Sequence, residues 1–349
     1  MNGSFLICYN ANMARNKKFI IFSLAFAVLC GLVAAFWLRA PRPGSGPIVP
    51  PDRIRVANIG IYSIFNLIAE EKGYFKENGL DAQVDEYDSG ATSMAALLSG
   101  AADVAIAADF VGVTNIFAND DVRILAKVSD QDVWQVVARK DKGISTPSDL
   151  AGKRIGVTRK TSGEFYLGRF LTFNGLKLED VQVEDLPPSG MIEGLESGLL
   201  DAVVTFEPNA YALKRKLGGG VISWSAQANQ WTTALAYSTA PFVAANPDIV
   251  ERYLRSLAQA EAYAAAYPDE AREIVAHSTG QDAAFMSYIW PKFDFTMDMK
   301  QDLLLAMEEE TRWVIDNRLT DESRVPNYLE NLYFAGLENV KPDSVTVVH

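Results

Sequence analysis

Cysteine and histidine are scarce in this 349-residue chain. Its two cysteines, Cys8 and Cys30, lie within the first 50 residues, and its two histidines are His277 and His349. The remainder of the chain therefore contains no disulfide and no thiol nucleophile. A zinc site needs several His or Cys ligands close together, so we expect no metal site, and no motif indicates another cofactor.

Basic residues are also fewer than acidic ones, 32 against 44. The net charge is −12, and the first 50 residues carry five basic residues and no acidic one, so the part from Pro51 onward, here called the body, carries −17. A body of that charge repels nucleic acid and anionic lipid at long range, which excludes a nucleic-acid partner. The nucleotide-binding pattern Gly-x-x-x-x-Gly-Lys-Ser/Thr is absent as well.

One long apolar run is present near the N-terminus. Residues 19–38 contain no charge and follow Lys17 and Lys18 at the end of a basic segment, residues 1–18. At about 1.5 Å per residue, a helix of this length spans about 30 Å, the thickness of a hydrocarbon core. The run is either a transmembrane anchor or a signal peptide, because a small residue, Ala35, offers a cleavage point.

Both alternatives export the body, since the basic flank stays in the cytoplasm. We expect the periplasm or the cell exterior, with anchoring to the inner membrane in the first alternative. Lipid attachment at Cys30 is a third possibility, disfavoured by Leu29 before it. Residues 39–52 form a Pro/Gly-rich tether that cannot become a helix. The sequence leaves open whether translation starts at Met1 or Met13.

From Arg53 onward, short β-rich runs alternate with helical stretches, and the series occurs twice before a largely helical tail. This pattern predicts an α/β fold with mostly parallel sheets covered by helices on both faces. We predict a first lobe from residues 53–137 and 236–349 and a second lobe from residues 138–235. Two crossing segments, near Ala138 and Leu235, would form the hinge.

Several motifs follow one another in the order typical of a known family. They are "LIAEEKGYFKENGLDAQV", "ALLSGAADVAIAADFVGV", "STPSDLAGKRIGV", "GLLDAVVTFEPNAYAL" and the tail that begins "NPDIVERYLRSL". Together they resemble the nitrate, sulfonate, taurine and thiamine-precursor binding proteins of ABC importers, over about residues 53 to 345. The resemblance implies a periplasmic-binding-protein-like fold of type II. It also implies a protein that closes over a small ligand and delivers it to a permease and its ATPase. We expect a monomer, although the sequence itself does not determine the oligomeric state.

Ligands of open α/β sheets bind beyond the carboxyl ends of the strands, which places candidate residues in the loops there. Thr161 and Ser162 stand at a predicted helix N-terminus, where hydroxyls and free backbone N–H groups hold an anion or a carbonyl. Ser89, Gly90 and Thr92 occupy the equivalent place after the second strand. Ordinary helix capping remains the alternative for both sets.

Acidic and aromatic residues complete the candidate site. Asp109 is either a cleft carboxylate or an N-cap. Glu207 has the same choice of a helix cap, but Pro208 after it favours a contact with the ligand or with the opposite lobe. Two such carboxylates favour a ligand with a positive or hydrogen-bond-donating portion, as in taurine or an aminopyrimidine. The aromatic candidates, each a pocket wall or a core residue, are Tyr62, Trp134, Trp231 and Tyr237.

The preferred hypothesis is a solute-binding protein that returns its ligand unchanged. An enzyme on the same fold, resembling the pyrimidine synthases or the desulfinases, is the alternative. The body lacks the cysteine that those enzymes use, which argues against it. A sensory or scaffold ectodomain is a third class, and it would need a signalling partner.

Overall fold

The computed structural model describes residues 50–228 and 230–348, and the strands within these residues form two sheets. In chain order the strands are β1 (Asp52–Asn58), β2 (Leu80–Glu86), β3 (Val104–Ala108), β4 (Val122–Gln131), β5 (Trp134–Arg139), β6 (Arg154–Val157), β7 (Gln182–Asp185), β8 (Ala202–Phe206), β9 (Val221–Ser225), β10 (Thr232–Thr239) and β11 (Phe293–Asp294).

Five strands of the first sheet have the same topology as the five strands of the second, and β11 is an additional edge strand of the first. The first has the order β11-β4-β10-β3-β1-β2, and the second has the order β7-β6-β8-β5-β9. In each sheet three neighbouring strands run parallel, β2-β1-β3 in one and β7-β6-β8 in the other. The next strand, β10 or β5, has come from the other sheet and runs antiparallel to both of its neighbours. The sheets are therefore mixed, and the prediction of mostly parallel sheets is wrong.

The chain crosses between the sheets twice. It leaves the first sheet after Gln131 and joins the second at Trp134, and it leaves the second after Ser225 and returns at Thr232. The predicted crossings at Ala138 and Leu235 lie inside β5 and β10 instead. The difference arises because both strands are continuous β-rich runs, and the sequence does not reveal which sheet such a run joins.

We call residues 52–131 and 232–348 the first lobe and residues 134–225 the second lobe. The helices of the first lobe are α1 (Ile64–Lys72), α2 (Tyr74–Glu77), α3 (Gly90–Leu98), α4 (Asp109–Ile116), α8 (Ala240–Ala245), α9 (Pro247–Ala266), α10 (Pro268–Thr279), α11 (Ala283–Ile289), α12 (Gln301–Asp316) and α13 (Phe334–Val340). Those of the second lobe are α5 (Ser162–Phe173), α6 (Pro188–Ser197) and α7 (Asn209–Leu217). The predicted α/β fold with two lobes is confirmed.

The first predicted helix is broken into two. The pattern from Phe65 to Lys76 indicates one helix, but α1 ends at Gly73, whose φ of 77° is left-handed. Such a φ is readily adopted only by glycine, so Gly73 stops α1 and redirects the chain into α2. Gly79, at which the pattern predicts the end of that single helix, is also left-handed, with φ 71°, and follows α2.

The core lies on both faces of the parallel strands. β3 and β8 are buried along almost their whole length, as expected for central strands covered by helices on both sides. The tail helix α9 packs against α1 and α13, whereas α12 contacts both α4 of the first lobe and α5 of the second. Residues Pro51–His349 form a compact unit of their own.

The expected membrane segment falls outside the described residues. This applies to the basic segment 1–18, the apolar run 19–38 and the tether up to residue 49. In residues 50–228 and 230–348, no helix is both long and apolar enough to cross a bilayer.

Candidate functional site

A cavity of about 470 Å³ lies between the two lobes. It is lined at the carboxyl ends of the parallel strands, by Ile59 after β1, Tyr87 after β2, Ala108 at the end of β3, Thr158 after β6 and Phe206 at the end of β8. The tail contributes the end of α10 and Phe285 of α11. A ligand in this cavity would contact both lobes.

Aromatic rings form one wall of the cavity. Phe206 packs edge-on against Tyr62, with ring centroids 5.6 Å apart, and against Trp134, at 5.2 Å. Tyr62 belongs to the first lobe and the other two rings to the second, so the cluster joins the lobes at the cavity surface. Ile61, Val111 and Ile192 add aliphatic surface. Concave, largely apolar surfaces of this kind are typical of sites for small organic molecules.

Helix N-termini form the polar part of the wall. α3 begins at Gly90 behind Ser89, and α5 begins at Ser162 behind Thr161, whose Oγ1 accepts the backbone N–H of Gly163 at 3.2 Å. Each helix presents its positive dipole end to the cavity. Ser162 is fully buried, and its hydroxyl has no hydrogen-bond partner within the described residues.

The cavity carries no cationic side chain among the described lining residues. Its two acidic residues, Glu86 and Asp88, are exposed and already accept hydrogen bonds. Glu86 accepts the backbone N–H of Gly60 at 2.8 Å, and Asp88 accepts the hydroxyl of Thr92 at 2.8 Å. Any positive potential inside the cavity must therefore come from backbone N–H groups and helix dipoles.

Six of the eleven sequence-predicted site residues line this cavity. They are Tyr62, Ser89, Gly90, Trp134, Thr161 and Ser162. The other five, which do not line it, are Thr92, Asp109, Glu207, Trp231 and Tyr237.

Asp109 faces the protein interior. Its carboxylate accepts the backbone N–H of Phe110 at 2.9 Å and that of Thr233, on the returning strand β10, at 3.1 Å. Burial raises the pKa of Asp109 to about 7. The neighbouring buried carboxyl of Glu310 has its pKa raised by burial and by Asp109. Asp109 is the first residue of α4 and not its N-cap, which is Ala108.

Glu207 makes an inter-lobe contact, which is one of the alternatives that the sequence left open. It is fully buried, and its carboxylate accepts the backbone N–H of Tyr211 at 2.6 Å and the Lys214 ammonium at 3.1 Å, both from the second lobe. The hydroxyl of Tyr288, from the first lobe, donates to the same carboxylate at 2.8 Å. These partners orient the carboxylate away from the cavity.

The three remaining candidates have local structural roles. Thr92 forms a capping box with Ser89 at the start of α3. Tyr237 is buried inside β10, where its hydroxyl donates to the carbonyl of Ala108 at 3.2 Å. Trp231 lies on the second crossing segment with 45% of its surface exposed.

Sequence reasoning overlooked several lining residues, including Phe206, Ile192 and Phe285. Phe206 was detectable, because it ends a buried strand immediately before Glu207 and so must lie at the carboxyl edge of the sheet. Ile192 and Phe285 carried no such signal, since apolar residues on helices are usually core.

The sequence matches a known family. The profile of the family described as "NMT1/THI5 like" matches residues 61–271. A protein of Brucella abortus that is named only as a binding protein is 30% identical over 239 residues, which cover 66% of this chain and 73% of its own length. The taurine-binding periplasmic protein of Escherichia coli is 28% identical over 204 residues, covering 56% of this chain and 61% of its own.

Solved structures share the fold. The alkanesulfonate-binding protein SsuA from Xanthomonas axonopodis pv. citri, bound to MOPS, superposes with a TM-score of 0.72 at 18% identity, covering 82% of this chain and 99% of that one. The desulfurization enzyme DSZB has a TM-score of 0.57 at 17% identity, covering 82% of this chain and 99% of its own. The fold is therefore that of the periplasmic binding proteins, and it hosts both binding and catalysis.

Proposed function

Because this chain belongs to the NMT1/THI5-like family, we propose that it is the extracytoplasmic solute-binding component of an ABC importer. It captures a small organic ligand between its two lobes and delivers the ligand, chemically unchanged, to a permease and its ATPase. The supporting observation is the cavity at the seam of the lobes, which has aromatic walls and converging helix N-termini.

The chemistry of the cavity favours a sulfonate with an apolar body. An acceptor or anionic head fits the N-termini of α3 and α5, and the buried hydroxyl of Ser162 supplies one further donor. The apolar body packs against Tyr62, Trp134 and Phe206. The names of the taurine-binding and alkanesulfonate-binding relatives support the same class.

Taurine fits this arrangement less well. The sequence argument for a positive ligand portion rested on Asp109 and Glu207, and both carboxylates are occupied by protein donors. Among the described residues that line the cavity, an ammonium group would find acidic partners only at the exposed Glu86 and Asp88. Burying a charge without a partner is costly, so alkyl and aryl sulfonates rank above amino-sulfonates and thiamine pyrimidines.

The mechanism is hinge closure. The lobes are joined by two crossing segments, which allows them to rotate relative to each other. A ligand that contacts both lobes binds the closed form better and shifts the population toward it. The permease then recognises the closed arrangement.

In this proposal the apolar run at residues 19–38 anchors the body to the inner membrane. The mass of the mature protein distinguishes such an anchor from a cleaved signal peptide.

A thermal-shift panel on the body tests the ligand class. We expect alkanesulfonates to raise the melting temperature more than taurine, thiamine pyrimidines or nitrate. At a ligand concentration 100 times Kd, binding adds about 2.7 kcal/mol of stability. No shift with any compound would contradict the proposed function, and a shift only with pyrimidines would replace the ligand class.

Catalysis is the alternative, resembling that of the pyrimidine synthases or desulfinases. The absence of cysteine from the body argues against both enzyme types. Mass spectrometry of the compound after incubation separates the two functions. The ligand should be recovered intact, whereas loss of sulfite or formation of a pyrimidine would establish an enzyme.

A further inference from the structure

Glu207 of the second lobe is bonded by two tyrosines of the first lobe. The hydroxyl of Tyr62 donates to the backbone carbonyl of Glu207 at 2.5 Å, and the hydroxyl of Tyr288 donates to its carboxylate at 2.8 Å. Both bonds cross the seam between the lobes, so both depend on how the lobes are arranged.

The other partners of this carboxylate stay with it in either arrangement. Lys214 and the backbone N–H of Tyr211 belong to the second lobe, as Glu207 does. The Lys214 ammonium also donates a hydrogen bond to the hydroxyl of Tyr288 at 3.2 Å, so this hydroxyl makes two bonds across the seam. The charge of Glu207 is therefore balanced inside its own lobe, and the bond from Tyr288 depends on closure alone.

The hydroxyl of Tyr288 stays protonated near neutral pH and can therefore donate a hydrogen bond. Burial and the neighbouring Glu207 carboxylate raise the pKa of its hydroxyl. Its ring packs against that of Tyr211 with centroids 5.2 Å apart, which fixes the hydroxyl over the carboxylate. A hydrogen bond from a neutral donor to a buried carboxylate is about twice as strong as one between neutral groups.

We propose that Glu207 and Tyr288 form an inter-lobe clasp that sets the affinity for the ligand without touching it. The clasp rests on the proposed function in that it favours the closed form that captures the ligand. Tyr288 does not line the cavity, although Phe285, one turn earlier on α11, and Phe206, next to Glu207, both do. Tyr288 is accordingly a positioning residue.

An exposed ion pair accompanies the clasp but contributes little. Arg215 of α7 lies 3.0 Å from Asp282, just before α11, and the two side chains are 63% and 55% exposed. Ion pairs with such exposure contribute almost nothing measurable, because water and salt screen them. The buried bond from Tyr288 is the contact whose loss should shift the equilibrium between open and closed forms.

Tyr288→Phe tests the clasp, because it removes the hydroxyl and keeps the ring. Small-angle scattering of the ligand-free body should give a larger radius of gyration for the variant than for the wild type. With pentanesulfonate as the probe, the dissociation rate should rise at least about tenfold while the association rate changes little, because the variant loses both the bond to Glu207 and the bond from Lys214.

Tyr267→Phe is the matched control, since Tyr267 is half exposed and packs only on Tyr263 among the described rings. It should leave scattering and kinetics unchanged. Equal radii of gyration for Tyr288→Phe and wild type would overturn the clasp, whether or not pentanesulfonate binds. Failure of every compound to bind would instead contradict the proposed function, so the two failures are distinguishable.

Discussion

The side-chain oxygen of Gln227 accepts a hydrogen bond from the backbone N–H of Trp134 at 2.8 Å. It also accepts the N–H of Val133, and its amide nitrogen donates to the carbonyl of Gln131 at 2.9 Å. Gln227 lies on the second crossing segment, whereas these three partners lie on or beside the first. A single buried amide therefore ties together the two segments about which the lobes would rotate.

Replacing the side chain of Gln227 should lower the stability of the body. Gln227→Ala leaves two backbone N–H groups and a carbonyl buried without partners, and each such group costs about 1–3 kcal/mol. We therefore expect the free energy of unfolding in urea to fall by at least about 3 kcal/mol. Gln182→Ala, at an exposed position in β7, should change it by less than about 0.5 kcal/mol. Equal effects of the two substitutions would show that Gln227 is not needed at the hinge.

Gly168 of α5 is required by the proximity of Trp313 of α12. A Cβ atom at position 168 would lie 2.3 Å from a ring carbon of Trp313. Gly168→Ala should therefore destabilise the body by about 1–3 kcal/mol, despite the better helix propensity of alanine. The double variant with Trp313→Phe should recover part of this loss in thermal unfolding.

Gly219→Ala is the control for that substitution, since nothing lies within 4 Å of its added Cβ. Its free energy of unfolding should differ from that of the wild type by less than about 0.5 kcal/mol. If Gly168→Ala were as mild as the control, the contact between α5 and α12 would be looser than the structure indicates.

Asp109 should make stability dependent on pH. Burial raises its pKa in the folded protein to about 7, above the value of about 3.9 in an unfolded chain. Between these values the folded state retains a proton that the unfolded state releases. The resulting stabilisation is fully present below about pH 4 and is lost as the pH rises through about 7.

Urea unfolding of the body at pH 5, 6, 7 and 8 measures this effect. The free energy of unfolding should fall more steeply with pH in the wild type than in Asp109→Asn, which cannot ionise. We also expect the variant to have a lower free energy of unfolding at every pH, because the single oxygen of its amide cannot replace both carboxylate oxygens as acceptors of the two backbone N–H groups. Parallel pH profiles would indicate that Asp109 is ionised in the folded protein.

Substitution of Ser162 tests whether its hydroxyl contacts the ligand or stabilises the fold. Its buried hydroxyl has no partner in the described part of the chain, so Ser162→Ala should not destabilise the body. If the hydroxyl donates to the sulfonate, affinity for pentanesulfonate should fall about tenfold. Thr232→Val is a useful contrast, because its hydroxyl bonds to that of Tyr166 at 3.0 Å and its loss should lower stability. Unchanged affinity of Ser162→Ala in a calorimetric titration would place the ligand head elsewhere.

The sequence predicted those features that depend on local pattern. Alternating β-rich and helical runs identified the α/β fold, and the polar turns at Ser89 and Thr161 were correctly placed at helix N-termini. Strand direction was not predictable, because β5 and β10 look like any other apolar run and their antiparallel pairing depends on contacts with distant strands. The crossings at Ala138 and Leu235 were misplaced for the same reason.

The orientation of the Asp109 and Glu207 carboxylates could not be predicted from the sequence either. Asp109 and Glu207 both follow buried strands, which placed them near the cavity. Tyr211 and Lys214 of the following helix hold Glu207. Both carboxylates also have distant partners, Thr233 for Asp109 and Tyr288 for Glu207, which lie 124 and 81 residues away along the chain. Local sequence contains no information about such partners, so the argument for a positively charged ligand portion could be tested only once the fold was known.

Blocking the cavity is the most direct test of a ligand held between the lobes. Ile192 of α6 lines the cavity, and Leu199, also in the second lobe, is largely exposed outside it. In calorimetric titrations with the alkanesulfonate that stabilises the body most, we predict one site per wild-type molecule, the same site in Leu199→Trp, and no detectable binding to Ile192→Trp. Undiminished binding to a folded Ile192→Trp variant would contradict the account.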